Sequence, residues 1–263
     1  MFFKRFWLLV AAVICTSAAF ISCSDNEPGN DEGQNGGNTG IGNGGTGVEV
    51  LPKKIKAIKY KSLGRHEYSY WYSFFYDEEN RLNKIYHSSY EGEVDTIVYE
   101  KDSINVKEII RDDLEDEYGI KLKNGKAVKS YETDNLIYEY SDNGYLSEIR
   151  CPSERYTQEL TITDGILTSI YVPQDDETHT FIPDLEAENN TNVDLYGFEF
   201  IYNQLGDNYA ILLCATGKRI KYLPKKCDNT EYTYEINPEG YITKITRDLG
   251  KAGKDTFEIF YED

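Results

Sequence analysis

The side chains with chemistry to offer in this chain are five cysteines, three histidines, 46 carboxylates and 23 tyrosines, and their spacing rules out more than it allows. No histidine sits in an H-E-x-x-H pair, no cysteines stand as C-x-x-C, and neither a G-x-S-x-G elbow nor a phosphate-cradling P-loop occurs. His66, His87 and His179 are scattered, so no metal, triad or cofactor is expected on them. Paired carboxylates can hydrolyse glycosides, but among 46 acids two neighbours arise by chance. The expectation is a protein that is not an enzyme.

Aromatics are the better candidates. Tyr70, Trp71 and Tyr72 join apolar rings to polar tips, a chemistry suited to stacking on sugars and to wet interfaces. The competing reading is structural, because cross-strand aromatic pairs stabilise a sheet by about 0.2–1 kcal/mol each without any ligand. Cys151, Cys214 and Cys227 read as small buried hydrophobes, with a single Cys214–Cys227 bridge as the alternative. The acid runs at 112–117 and 175–177 read as solvated loops rather than calcium ligands.

The chain opens on Met1-Phe2-Phe3-Lys4-Arg5, a short basic start, and continues uncharged from Phe6 to Ile21 before Ser22-Cys23. This is the pattern of a secretory signal. A retained span would need roughly 20 apolar residues and a charged flank after them, whereas Ser24-Asp25-Asn26-Glu27 follow. Ser22-Cys23 resembles the lipobox of bacterial lipoproteins, which makes Cys23 the lipid attachment residue, although Phe20 stands where leucine is usual. Cys15 competes for that role, but Ile14 before it is too bulky for the cleavage pocket. Each acyl methylene buried in a bilayer is worth about 0.8 kcal/mol, so several chains on one cysteine attach the protein permanently. Ser24-Asp25-Asn26-Glu27 is also similar to the export signal that carries Bacteroidetes lipoproteins to the outer face of the outer membrane; the periplasmic face is the alternative.

The expected organisation is a signal peptide at 1–22, a tether at 23–49 and a β domain at 50–263. The tether is Gly, Asn and Asp with almost nothing to bury, so ordering it would not be offset by apolar contact. Net charge is −18, and loss of Lys4 and Arg5 with the signal leaves the rest more acidic still. Nucleic acid needs clustered Lys and Arg against its phosphates, and that partner is excluded. Anionic lipid headgroups are disfavoured by the same average charge, so a lipid partner would be gripped by apolar surface.

Three segments share one pattern: Phe74 to Ile85, Tyr138 to Ile149 (YEYSDNGYLSEI) and Tyr234 to Ile245 (YEINPEGYITKI). Each is strand, tight turn, strand, with Asn80, Gly144 or Gly240 where a left-handed residue ends the turn. Asn124-Gly125 and Asp164-Gly165 add two type I′ hairpins. Tyr68, Tyr70, Tyr72, Phe74 and Tyr76 alternate with Ser69, Trp71, Ser73 and Phe75, the period of a strand. Leu146 and Ile149, like Ile242 and Ile245, are three apart and should face opposite sides, so either a bulge intervenes or both faces are covered. The fold expected is all-β: a single large twisted antiparallel meander, curled or barrel-like, with one short helix. Pro173 to Asp194 reads as a long loop, and Asn208 to Gly217 as a short apolar helix that plugs or caps one opening.

These hairpins, the tether, Asn192-Val193-Asp194-Leu195 and the Gly217-to-Pro224 segment resemble an uncharacterised Bacteroidetes lipoprotein domain described as having a porin-like fold. The likeness runs from about Lys53 to the C-terminus. It implies a barrel-like antiparallel fold and no known activity, and it carries no site residues with it. Phe75-Tyr76-Asp77 with Arg81-Leu82 is similar to the YD repeats of much longer secreted shells, through shared hairpin chemistry. The function expected is a surface binding module for a glycan, peptide or apolar small molecule. The alternative is a structural subunit docking on another envelope protein.

Overall fold

The computed structural model describes residues 53–262 apart from 64–66, 89–92, 112, 132–134, 193, 199–200 and 203–207. Cys23, the signal peptide, the tether and His66 lie outside these. The first eight strands are β1 Ile55–Leu63, β2 Glu67–Tyr76, β3 Leu82–His87, β4 Glu93–Tyr99, β5 Ser103–Ile110, β6 Asp113–Lys123, β7 Lys126–Tyr131 and β8 Ile137–Tyr140. The next eight are β9 Leu146–Cys151, β10 Tyr156–Thr163, β11 Ile166–Val172, β12 Glu177–Glu188, β13 Tyr222–Cys227, β14 Thr230–Ile236, β15 Ile242–Asp248 and β16 Lys254–Tyr261. Each pairs antiparallel with its neighbours in sequence, and β16 pairs with β1, so the meander closes into a barrel.

The turns behave as their residues dictate. Asn80, Gly144 and Gly240 have φ of 62°, 85° and 88°, while Asn124-Gly125 and Asp164-Gly165 are left-handed at both positions. Leu146 and Ile149 are both buried because a bulge intervenes: Tyr140 faces Leu146 but Glu139 faces Glu148, which leaves Ser147 over. The same extra residue recurs at Asn83, Val128, Thr168 and Thr243, each on the second strand of its hairpin. A bulge increases local twist, and five at one end of the sheet coil it toward closure.

Three expectations need correction. Residues 177–188, expected within a loop, form β12, with Pro183 set opposite Pro224 at a register irregularity. Neither proline can donate to the ladder, and a bulge tolerates that loss. The helix is one turn, α1 Tyr209–Leu212, rather than a run to Gly217. Asn208 caps its start by accepting from the Ala210 and Ile211 amides; Cys214 then turns left-handed (φ 51°) and the Ala215 amide donates to the Ala210 carbonyl. The acid residues 113–117 likewise start β6 instead of forming a loop.

A barrel of sixteen strands is too wide for wall side chains to meet across it. The described residues of the excursion between β12 and β13 (189–192, 194–198, 201–202 and 208–221) enter that space. Its contacts reach opposite walls: Tyr138 on β8 donates to Asn208 at 3.0 Å, Arg247 on β15 donates to the Ile201 carbonyl, and the Ile55 amide of β1 donates to Asn192 at 2.9 Å. Tyr196, Phe198, Ile201 and Tyr202 are buried, and Tyr196 stacks on Tyr202 at 4.9 Å. Asp194, also buried, is held in place by Asn189 at 2.9 Å; desolvation raises its carboxyl above the usual range, with the nearby Arg219 acting in the opposite sense.

The wall is apolar inward and mostly charged outward. Ile58, Tyr72, Ile85, Val106, Ile149, Ile170 and Phe257 point into the lumen, while outside Lys59 pairs with Glu258, Lys107 with Glu117 and Lys244 with Glu235. A lipid-spanning barrel turns an apolar band about 25 Å tall outward; the described outer face here mixes these ion pairs with exposed apolar side chains such as Phe75 and Leu114. Cys151 and Cys227 are free thiols buried in the wall, so no bridge joins Cys214 to Cys227. Burial, with Asp228 adjacent, pushes the Cys227 thiol up to about 12.

Candidate functional site

Strand alternation separates the three aromatic candidates. Tyr72 is fully buried in the lumen with its ring stacked on His87 at 4.3 Å, and half-buried Tyr70 meets the same imidazole edge-on at 4.9 Å. Trp71 points outward, is 39% exposed and lies 5.3 Å from Phe260. The three therefore share no surface. Tyr70 and Tyr72 act with Tyr60 and Phe257 as lumen packing, and Trp71 alone of the three is available from outside.

Beside Tyr72 the lumen holds a cluster the motifs did not reveal. His87 Nδ1 and Glu93 Oε2 are hydrogen-bonded at 3.2 Å, Tyr118 donates to Glu108 at 3.3 Å, and Asp95, on β4 with Glu93, stands directly opposite Glu108 on β5. All three carboxylates are buried, and Glu93 Oε1 and Asp95 Oδ1 have no hydrogen-bond partner. Burial, then Glu108 and Glu93, raises the Asp95 carboxyl well above its ordinary value; burial and Glu93 push Glu108 up to about 7, against the bond from Tyr118. The sequence did carry a signal: Glu93 and Asp95 share the parity of Ile97, and Glu108 that of Ile104 and Val106. Among the described residues, no three His, Cys, Asp or Glu side chains converge on one metal position. The carboxylates are buried, and Tyr118 ties them to the plug through its ring contact with Tyr209 of α1 at 4.9 Å.

Outside, one hollow of about 440 Å³ lies across β5–β7, within the ~300–1,000 Å³ typical of small-molecule sites. The register creates it: Asn105, Gly119 and Tyr131 stand side by side on three neighbouring strands. Gly119 leaves the floor bare. A Cβ there would lie 3.5 Å from Asn105 Oδ1 and 3.7 Å from the Tyr131 ring, ordinary contacts, so the backbone does not require glycine. Tyr131 is 47% exposed, with the Lys129 ammonium 4.8 Å from its ring centre. Lys121, Asp102 and Glu100 complete the rim, and Ser103 donates to Glu100 at 2.9 Å. A ring, an amide, an ammonium and two carboxylates around an open hollow match the stacking and hydrogen-bonding needs of a polyhydroxylated ligand. The sequence signal was the glycine inside a strand, between Tyr118 and Ile120.

Comparison with known protein families and with curated proteins finds no match. Solved structures do match. A porin-like protein from Bacteroides uniformis aligns over 81% of this chain and 99% of its own, with TM-score 0.55 and 13% identity. The likeness is one of fold. A porin-like protein from Bacteroides vulgatus gives the same result, at TM-score 0.56, 13% identity and coverage of 80% and 99%.

Proposed function

We propose that this chain is a lipoprotein of the outer membrane, anchored through Cys23 and facing the cell surface, whose plugged barrel is a non-enzymatic binding module for a glycan. The observation that carries this reading is the hollow over Gly119, an unfilled space beside an exposed Tyr131 and rimmed by polar side chains. The filled lumen argues against a conduit, which leaves the outer wall as the working surface.

Two measurements test it. Filling the floor with Gly119→Val should abolish saccharide binding, and Tyr131→Ala should weaken it roughly tenfold. Gly119→Ala should leave the barrel as stable or more stable by about 0.5–1 kcal/mol, since a strand glycine is destabilising. If no oligosaccharide at millimolar concentration shifts the Tyr131 resonances, the hollow is not a binding site. For the anchor, Cys23→Ser should move the protein from the envelope fraction to the soluble one; continued sedimentation of unacylated protein would remove the lipoprotein reading.

A further inference from the structure

Along its wall the barrel repeatedly sets lysine against carboxylate. Lys59 stands opposite Glu258, Lys107 opposite Glu117, Lys226 opposite Glu231, Lys244 opposite Glu235 and Lys254 opposite Asp248. Each of these pairs closes to 3.8 Å or less. The β6–β7 hairpin departs from the pattern. There Lys121 stands opposite Lys129 and Lys123 opposite Lys126, the only lysines so opposed in the described registers, and none of the four meets a carboxylate among the described residues. Like charges directly opposite one another destabilise a sheet, so this hairpin carries a standing demand for an anion.

The demand falls on the hollow already described. Lys121 lines it beside Ser103, and Lys129 lies over the Tyr131 ring. Lys123 is exposed one outward position nearer the turn, while the Lys126 ammonium lies 5.5 Å from the Tyr140 ring, away from the hollow. The carboxylates nearby are otherwise engaged or stand on the other side. Glu117 is held by Lys107 at 3.4 Å and Glu139 by Arg150. Glu100 and Asp102 line the hollow at the β4–β5 turn with Lys101 between them in sequence, and Glu100 accepts from Ser103 at 2.9 Å. The hollow is thus polar from side to side, with carboxylates at β4–β5 and unpaired ammoniums at β6–β7.

We propose that this hollow takes an acidic saccharide, with a uronate carboxylate or sulfate ester between Lys121 and Lys129, a sugar ring against Tyr131, and hydroxyls on Asn105, Glu100 and Asp102. The proposal rests on the reading of the hollow as a saccharide site and adds the ligand's charge and orientation to it. A bound anion relieves the repulsion between the opposed lysines, and hydrogen bonds from ammonium to an ionised oxygen are roughly twice as strong as neutral ones. Charge is felt over about 8 Å at physiological ionic strength. The ligand therefore meets these lysines and not the net −18 of the whole chain.

The test titrates the mature chain from Cys23 onward, made without acyl chains, and follows the Tyr131 ring resonances. Its ligands are an oligogalacturonate, a sulfated galacto-oligosaccharide and the neutral galacto-oligosaccharide of equal length. At least one acidic ligand should bind roughly tenfold tighter than the neutral one, and the tighter of the two names the acidic group. Lys121→Gln with Lys129→Gln should remove that advantage, with a thermal midpoint unchanged or raised because the opposed charges are gone. Lys121→Arg with Lys129→Arg should keep it, as should Lys251→Gln in the β15–β16 turn at the other end of the barrel. Equal affinity for neutral and acidic ligands overturns the proposal and leaves the saccharide reading standing, whereas no binding of any of the three removes both. Polyphosphate binding as tightly as the acidic sugars without moving the Tyr131 resonances would make the hairpin a general anion surface, and also overturns the proposal.

Discussion

Gly197→Ala is expected to destabilise the barrel by about 3 kcal/mol or more, far beyond any surface substitution. Gly197 lies in the plug, in a short 3-10 turn at Leu195–Gly197 whose backbone rests against α1. A Cβ at this position would stand 2.6 Å from Leu212 Cα and 2.7 Å from its nitrogen. Those are backbone atoms, so no rotamer change relieves the overlap, and the plug must shift as a unit. Tyr196 and Tyr202 move with it, together with the Tyr202–Tyr234 hydrogen bond of 2.9 Å. Urea unfolding followed by near-ultraviolet circular dichroism checks this directly. An unchanged midpoint would mean that the plug does not pack as described. Gly119→Ala is the matched control, a glycine of the same barrel where a methyl group meets only ordinary van der Waals contacts.

The second large effect concerns pH. Asp95 and Glu108 hold their protons in the folded barrel at pH values where the unfolded chain has lost them. Between about pH 4 and 7 the folded state binds more protons than the unfolded state, so this cluster's contribution to stability falls as pH rises through that window. For Glu108 most of the penalty is present at pH 8 and little of it at pH 4. Glu108→Gln should therefore stabilise the barrel by about 2 kcal/mol at pH 8, after a discount for residual solvent screening, and leave it unchanged near pH 4. Asp95→Asn should act in the same direction, because Asp95 Oδ1 has no partner to lose. A variant whose advantage is equal at both pH values would show that the carboxylates are not protonated in the fold. The two substitutions should not add, since Glu108 is among the charges that raise Asp95 and the two stand opposite each other on adjacent strands.

The wall was legible because its determinants are local. Asn80, Gly144, Gly240 and the Asn-Gly and Asp-Gly pairs specify turns through their own backbone preferences, and alternation specifies strands. Even the bulges showed as the three-residue spacing of Leu146 and Ile149, although the choice between a bulge and a two-sided sheet needed the register. The plug was half legible: an apolar, non-alternating run after Asn208 must be buried on all sides, but its length depended on Cys214 turning left-handed under tertiary contacts. The candidate sites were less visible. Alternation alone already placed Tyr70 and Tyr72 on one face and Trp71 on the other, but only closure decided which face was inside.

The chain by itself determined a turn-punctuated antiparallel sheet, the alternation of side chains between its two faces and its acidic average, all of which follow from residue type and neighbours one to four positions away. Tertiary structure decided that the sheet closes, that the plug residues enter the lumen, and that Gly119 stands between Tyr131 and Asn105. Those outcomes depend on which residues stand side by side across hydrogen-bonded strands. In a closed barrel that register is set by the summed bulges and the packing of the plug, a sum over the whole chain that no local pattern contains.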